Sequence, residues 1–348
     1  MAIESKMRAM VNRSSGEQSL RLSKEDIDIP TPADNQVLVK ISHVAQNPTD
    51  VQSFDLNRFE EGAVLGCDFV GECVELGSSV KRYKKGDIIA GLIWGGEIPG
   101  LGAYSQYTLA DERISFPLSG SISREHASTV PLAAATAWLA LYSKGCLAID
   151  REQNKGSSVL IWGGSSSVGL YAIQLASMHG LEVITSCSPK HEKLVRSYGA
   201  RHVFDYKDEQ VVAKIKAVAP TLKYAFDTIG NDTSSPTASQ ALQDGGNVCT
   251  VRPGKANTDK VASGCRVTDV FVFTSFLKDH AYGTSKWPAS EEDHQLSSEL
   301  FEKLTLWLEQ GTLKPSHPKV YSGMESVPEG FQEHRDGKIS AYKIVYEL

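Results

Sequence analysis

The chain has 348 residues, a length that suggests about two domains. With 41% hydrophobic and 22% charged residues it is globular rather than disordered, and its net charge of −6 excludes the basic footprint of a dedicated nucleic-acid binder. No run of about 18 apolar residues is present and the N-terminus lacks the apolar core of a secretory signal, so neither a bilayer span nor secretion is expected. The expected compartment is the cytoplasm. Six cysteines, at 67, 73, 146, 187, 249 and 265, form no CxxC pair, and no HxxxH motif accompanies them. That spacing favours free thiols in a reducing compartment and no zinc ribbon.

Residues 1–124 read as short strands with turn punctuation. NQVLVKISHVA from Asn35 is β-branched and apolar, and VLGCDFVGECVELG from Val64 reads as a Gly-rich strand pair. DIIAGLIWGG and AYSQYTLAD follow at regular spacing, as in an antiparallel barrel or sandwich. The texture changes near Ser123, where a capping serine precedes the Ala/Leu-rich helix PLAAATAWLALYS. Strands and helices then alternate to residue 276. SSVLIWGG, EVITSCS, RHVFDY, KYAFDTIG, GGNVCTV and VFVFTSF supply six strands, the number of a doubly wound dinucleotide-binding sheet. Beyond residue 276 come an amphipathic helix, HQLSSELFEKLTLWLEQG, and a strand in KISAYKIVYEL. This piece, 277–348, is short for a domain and is expected to return to the N-terminal barrel. The fold class is therefore α/β, a Rossmann sheet over 125–276 inserted in a β-barrel domain made of 1–124 and 277–348.

The strongest local motif is VLIWGGSSSVGLYAIQLA. An apolar strand runs into Gly163 and Gly164, then Ser165, Ser166, Ser167, Val168 and Gly169 open a helix. Small residues let the backbone approach a diphosphate, and the helix N-terminus offers free N–H groups. The second strand lacks the carboxylate that holds the ribose of NAD. It ends instead in Ser188, Pro189, Lys190 and His191, with Lys193 beyond. A hydroxyl followed by bases suits a 2′-phosphate, so the expected cofactor is NADPH. Tyr206, after the third strand, is placed to cover the phosphate or the adenine, or is simply a packed aromatic.

VLVKISHVAQNPTD, LGCDFVGECVELGSSVKRYKKGD, GAYSQYTLA, PLAAATAWLAL, GGSSSVG and FDYKD together resemble a medium-chain dehydrogenase/reductase over almost the entire chain. The resemblance implies a GroES-like barrel interrupted by a Rossmann domain. Zinc-dependent members carry a cysteine where this chain has Asn47 and Gly-His-Glu where it has Gly66-Cys67-Asp68. One cysteine beside one aspartate cannot make a three-ligand catalytic site, so no metal is expected. The chain is similar to the zinc-independent branch, above all to the trans-acting enoyl reductases of fungal polyketide biosynthesis.

That likeness implies site residues. Asn47, Pro48, Thr49 and Asp50 line the nicotinamide side, and Thr136 lies near the nicotinamide and the substrate carbonyl. Ser165, Ser166, Ser167 and Val168 contact the diphosphate; Ser188, Pro189, Lys190, His191 and Tyr206 hold the 2′-phosphate end. Val251 and Arg252 approach the nicotinamide. Phe271, Val272, Phe273, Thr274 and Ser275 line the substrate channel, and Ile339 and Ser340 return to the cofactor. Simpler readings stand beside these: Asn47 and Asp50 as turn and cap residues, Thr136 bonded to its own helix, Phe271 and Phe273 as strand core, Arg252 as a surface charge. Many fungal relatives carry a lysine where this chain has Gln52, and glutamine donates a hydrogen bond but is no acid. The expected function is NADPH-dependent reduction of the α,β-double bond of a thioester-linked polyketide intermediate. The expected partner is a polyketide synthase or its carrier protein, for which Lys81, Arg82, Lys84 and Lys85 offer a basic patch or merely a turn. The alternatives are a free-standing quinone or alkenal reductase and a non-reducing NADP-binding accessory protein, as a monomer or homodimer.

Overall fold

The strand Gln36–Ala45 is the spine of the first folded unit; Val37, Leu38, Val39, Ile41, Val44 and Ala45 are all buried. One of its edges pairs along its length with Asp68–Leu76. The other edge is shared: Tyr107–Asp111 pairs with its first half, and the C-terminal strand Lys343–Glu347 pairs with its last residues. The full path runs Pro318–Ser322, Lys343–Glu347, Gln36–Ala45, Asp68–Leu76, Ile88–Leu92 and Ser115–Pro117. Every pairing is antiparallel except the first. The C-terminal strand thus joins the same sheet as Gln36–Ala45, about 300 positions earlier in the chain. The computed structural model describes residues 5–15 and 18–348.

The chain divides into two compact units. The first contains Met1–Leu132, Phe301–Gly311 and Pro315–Leu348; the second contains Ala133–Leu300 and Thr312–Lys314. The sequence reading put the borders at 124/125 and 276/277, and both lie further along the chain. The second shift has a clear cause. The helix Glu291–Glu309 is tied by its first half to the second unit, where Trp138 donates to the Leu296 carbonyl at 2.8 Å and Arg151 grips Glu299 at 2.7 and 3.0 Å. Its second half packs in the first unit, where Thr305 donates to the Pro117 carbonyl at 2.7 Å.

One strand expectation needs correction, and one element went unread. VLGCDFVGECVELG is one strand, Asp68–Leu76, not a pair, because Gly71 lies against the Lys40 backbone without turning the chain. A long hairpin, Lys6–Ser15 with Gln18–Asp28, was not anticipated at all.

The second unit holds a parallel sheet in the order His202–Asp205, Glu182–Cys187, Ser158–Trp162, Tyr224–Asp227, Asn247–Thr250, Arg266–Asp269. The reversal of order falls between Ser158–Trp162 and Tyr224–Asp227, where dinucleotide sheets open their crevice. VFVFTSF is not the sixth strand. That strand is Arg266–Asp269, and Val272–Ser275 form a 3-10 turn in which the Thr274 N–H and hydroxyl both donate to the Phe271 carbonyl at 3.0 Å. The apolar run is buried by aromatic packing: Phe271 stacks on Trp287 at 4.0 Å and meets Phe273 edge-on at 5.3 Å. A short apolar run does not by itself distinguish a strand from other buried backbone. Phe271 and Phe273 therefore do not alternate on a strand. Among the described residues no helix is long and apolar enough to cross a membrane.

His43, on the central strand of the first unit, is buried, and its Nε2 has no hydrogen-bond partner. Burial holds its pKa below the usual histidine value, against the pull of Glu125 and Glu347 and with the push of Arg124. Folding therefore favours the neutral ring. Stability is full above about pH 6.5 and declines as the pH falls toward the lowered folded value. The expected result is a shallower fall in urea-denaturation stability between about pH 6.5 and 5 for His43→Leu than for the parent.

Candidate active site

In the first unit, Asn47 closes the strand Gln36–Ala45 and begins the helix Pro48–Asp55, with Pro48 at its first turn. Asp50 reaches back, and its Oδ2 accepts the Asn47 N–H at 2.7 Å. The same oxygen accepts the Tyr104 hydroxyl at 3.2 Å, and Oδ1 lies 3.3 Å from the Cys67 thiol. Asp50 is 2% exposed, and every one of these three donors is neutral. Burial pushes its carboxyl up to about 6, and the nearby Asp68 charge adds to the rise, while the three donors oppose it. Burial likewise pushes the Cys67 thiol well up, with Asp50 adding to the effect. Cys67 is therefore an inert thiol and not a thiolate.

Asp68 is treated differently. Its Oδ2 accepts the Lys343 ammonium at 2.5 Å and the Asn47 amide at 2.9 Å, and its Oδ1 accepts the Leu132 N–H at 2.7 Å. Lys343 also donates to the Thr129 carbonyl at 3.3 Å. Both partners of this ion pair are buried. The amide of Asn47 and the carboxylate of Asp68 are thus committed to each other, and Lys343 and the Leu132 N–H complete the carboxylate's partners. Among the described residues no group of three His, Cys, Asp or Glu side chains is arranged to hold a metal ion. Gln52 is half-buried on the same helix, and Thr49 is half-buried beside exposed Pro48. Ile339 and Ser340 lie half-buried in the segment before Lys343–Glu347.

In the second unit the strand Ser158–Trp162 leads through Gly163 to the helix Ser167–Met178. Gly163 has φ +87°, a conformation that favours glycine, and a Cβ on Gly169 would stand 2.4 Å from the Gly163 carbonyl. Ser166 is the N-cap: its hydroxyl accepts the Gly169 N–H at 2.9 Å and lies 2.8 Å from the Thr228 hydroxyl. Its side chain is therefore engaged in the cap. The N–H groups of Ser167 and Val168 have no intrahelical acceptor. With the helix dipole behind them they fit a diphosphate. Parallel register sets Asp205 beside Cys187, so Tyr206 leaves the sheet next to Ser188. Tyr206 is 46% exposed, Ser188 is half-buried, and Pro189, Lys190 and Lys193 are exposed, with His191 between them half-buried. The last residues of Glu182–Cys187 and those that follow to His191 carry no carboxylate, although Asp205 of the neighbouring strand pairs with Cys187. These groups fit a nicotinamide dinucleotide.

Other expected residues are held by their own packing. Arg252 donates from Nε to the Gly230 carbonyl at 2.8 Å, and the Val251 N–H donates to the Asp227 backbone carbonyl at 3.1 Å. Ser275 shares a 2.7 Å bond with Ser297, and Val272, Phe273 and Thr274 are buried. Thr136 is buried on the helix Pro131–Tyr142. The turn over residues 81–85 is organised by Glu112, whose carboxylate accepts the Lys81 and Arg82 N–H groups at 2.9 and 3.1 Å; Lys81, Lys84 and Lys85 remain exposed.

Residues 33–120 match the Alcohol dehydrogenase GroES-like domain, and residues 167–289 match the Zinc-binding dehydrogenase family. A trans-enoyl reductase of Trichoderma harzianum, thnE, is 33% identical, covering 98% of this chain and 96% of its own. Another, grgB of a Penicillium species, is 30% identical with 98% of both chains covered. The chain belongs to the medium-chain dehydrogenase/reductase superfamily. A solved structure described as a putative zinc-dependent alcohol dehydrogenase from Rhizobium etli shares the fold, with TM-score 0.81 and 21% identity over 99% of this chain and 98% of its own. The zinc-named match lies outside the Asn47, Cys67 and Asp68 positions.

The sequence reading of this superfamily member missed Lys343, Tyr104 and Thr228. Lys343 and Asp68 are 275 positions apart, and no local pattern links them. Removing one partner leaves a buried charge uncompensated, so Lys343→Met is expected to lower unfolding free energy by about 3–5 kcal/mol in urea titrations. A double Asp68→Leu, Lys343→Met variant is expected to recover only part of this, because Asn47 and the Leu132 N–H still lack their acceptor.

Proposed function

We propose that this chain is an NADPH-dependent, zinc-independent enoyl reductase that acts in trans on a polyketide intermediate held as a thioester by a separate synthase. The observation that carries the reading is the Asn47–Asp68–Lys343 lock. Side chains at the positions where zinc-dependent members hold their metal are here committed to one another. Chemistry without a Lewis acid suits an alkene already activated by a thioester carbonyl. The names of the similar trans-enoyl reductases support the same substrate class.

A nicotinamide, when bound, would supply hydride to Cβ. The chain's own residues bind and orient. The Ser167 and Val168 N–H groups hold the diphosphate, and Ser188, Lys190 and Lys193 take the 2′-phosphate under Tyr206. Thr136 donates to the thioester oxygen, where negative charge develops. Gln52 orients the substrate as a neutral donor, and water supplies the proton to Cα. Exposed Lys81, Lys84 and Lys85 offer the synthase's carrier a cationic contact.

A cofactor titration and a substrate panel test this together. NADPH is expected to bind at least about tenfold tighter than NADH, and Lys190→Ala with Lys193→Ala to remove that gap. With NADPH, turnover of a 2-enoyl thioester or its carrier-bound form, followed by absorbance and product mass, is the expected outcome. Turnover of a small quinone alone would make the chain a quinone reductase, and binding without turnover would make it an accessory protein.

A further inference from the structure

The helix Val327–Arg335 packs against the C-terminal strand closely enough that a Cβ on Gly330 would stand 2.0 Å from the Tyr346 hydroxyl oxygen. The same helix also buries a carboxylate among its inward residues. Glu333 is 8% exposed and accepts three donors: Lys319 Nζ at 2.7 Å and the Tyr321 hydroxyl on Oε2, and the Tyr342 hydroxyl on Oε1. Burial alone would push this carboxyl up, but the Lys319, Tyr321 and Tyr342 bonds outweigh it and hold it at about 2. Glu333 is therefore ionised at any working pH.

Tyr342 ends the loop 336–342, which joins the helix to the strand Lys343–Glu347. The loop has no regular structure over residues 338–340 and contains two positive-φ positions, Gly337 at 64° and Ala341 at 58°. Its start is tied by the Gly337 N–H to the His334 carbonyl at 3.0 Å and by the Lys338 N–H to the Glu333 carbonyl at 3.2 Å. The Tyr342 hydroxyl also lies 3.1 Å from the Lys338 carbonyl. One hydroxyl has one proton, and the carboxylate is the stronger acceptor, so Glu333 holds the main arm of a shared bond. The side-chain and backbone oxygens of one residue thus fasten both ends of the loop. Ile339 and Ser340 lie between them.

We propose that Glu333 is a positioning residue that, through Tyr342, latches the loop 336–342 so that Ile339 and Ser340 present a fixed surface to the cofactor. This rests on the reading above that Ile339 and Ser340 face NADPH. A loop with few backbone bonds is otherwise drawn from the low-stability end of a fold. Fixing it before binding removes an ordering cost that NADPH would otherwise meet.

Tyr342→Phe removes the hydroxyl and keeps the ring. In the full-length protein, NADPH titrated by fluorescence is expected to bind about tenfold more weakly to this variant. Its kcat at saturating NADPH is expected to stay within about twofold, and amide exchange over 336–342 to rise. Lys319→Met, which removes a different donor from the same carboxylate, is expected to leave NADPH affinity unchanged. If Tyr342→Phe does not fold, Glu333→Gln takes its place, with a smaller expected loss because an oxygen for Tyr342 remains. Unchanged affinity and unchanged exchange in the variants would overturn the latch, as would lowered melting temperatures with affinity intact. If the parent binds neither NADPH nor NADH, the reductase reading fails, and exchange over 336–342 still decides the latch.

Discussion

A single buried carboxylate organises the first unit. Asp68 lies on the strand Asp68–Leu76, and its acceptors take the ammonium of Lys343 from the C-terminal strand, the amide of Asn47 and the Leu132 N–H. An ionised carboxylate cannot lie in such a place alone, because desolvation costs several kcal/mol. Its three partners must therefore arrive together, and they come from three distant stretches of chain. The junction of Gln36–Ala45 with Lys343–Glu347, which brings the C-terminal strand into the sheet, is fixed at this point.

The neighbouring Asp50 shows the opposite solution. It has no cation, so its environment raises its pKa rather than paying the cost of a bare charge. Two carboxyls in one buried cluster thus have different partners: a cation for Asp68, and only neutral donors for Asp50. Asp68 holds Asn47 by its side chain, and Asp50 holds the same residue by its backbone. The first turn of Pro48–Asp55, which carries Thr49 and precedes Gln52, is fastened from two sides.

Much of the second unit was legible in the sequence, for a physical reason. Parallel strands buried on both faces appear as apolar runs, and the turn from Gly163 to Gly169 admits few residues but small ones. The same logic misread VFVFTSF, where the apolar residues serve an aromatic stack on Trp287 and not a strand. The first unit was less legible. Asn47, Cys67 and Asp68 drew attention as residues out of place in a zinc pattern, but what they do instead depends on Lys343 and Tyr104. The hairpin Lys6–Ser15 with Gln18–Asp28 and the short helix Val327–Arg335 carry weak apolar patterns and went unread. Side-chain pairing over hundreds of positions has no periodicity to betray it.

The proposed chemistry uses no metal at the Asn47–Asp68–Lys343 lock. Metal dependence is therefore the most direct point of attack. Turnover of a 2-enoyl thioester with NADPH should be measured on protein of known metal content, before and after treatment with a strong chelator. Unchanged turnover at substoichiometric zinc is the expected result. Loss of activity on chelation, restored by one equivalent of zinc, would contradict a metal-free reduction.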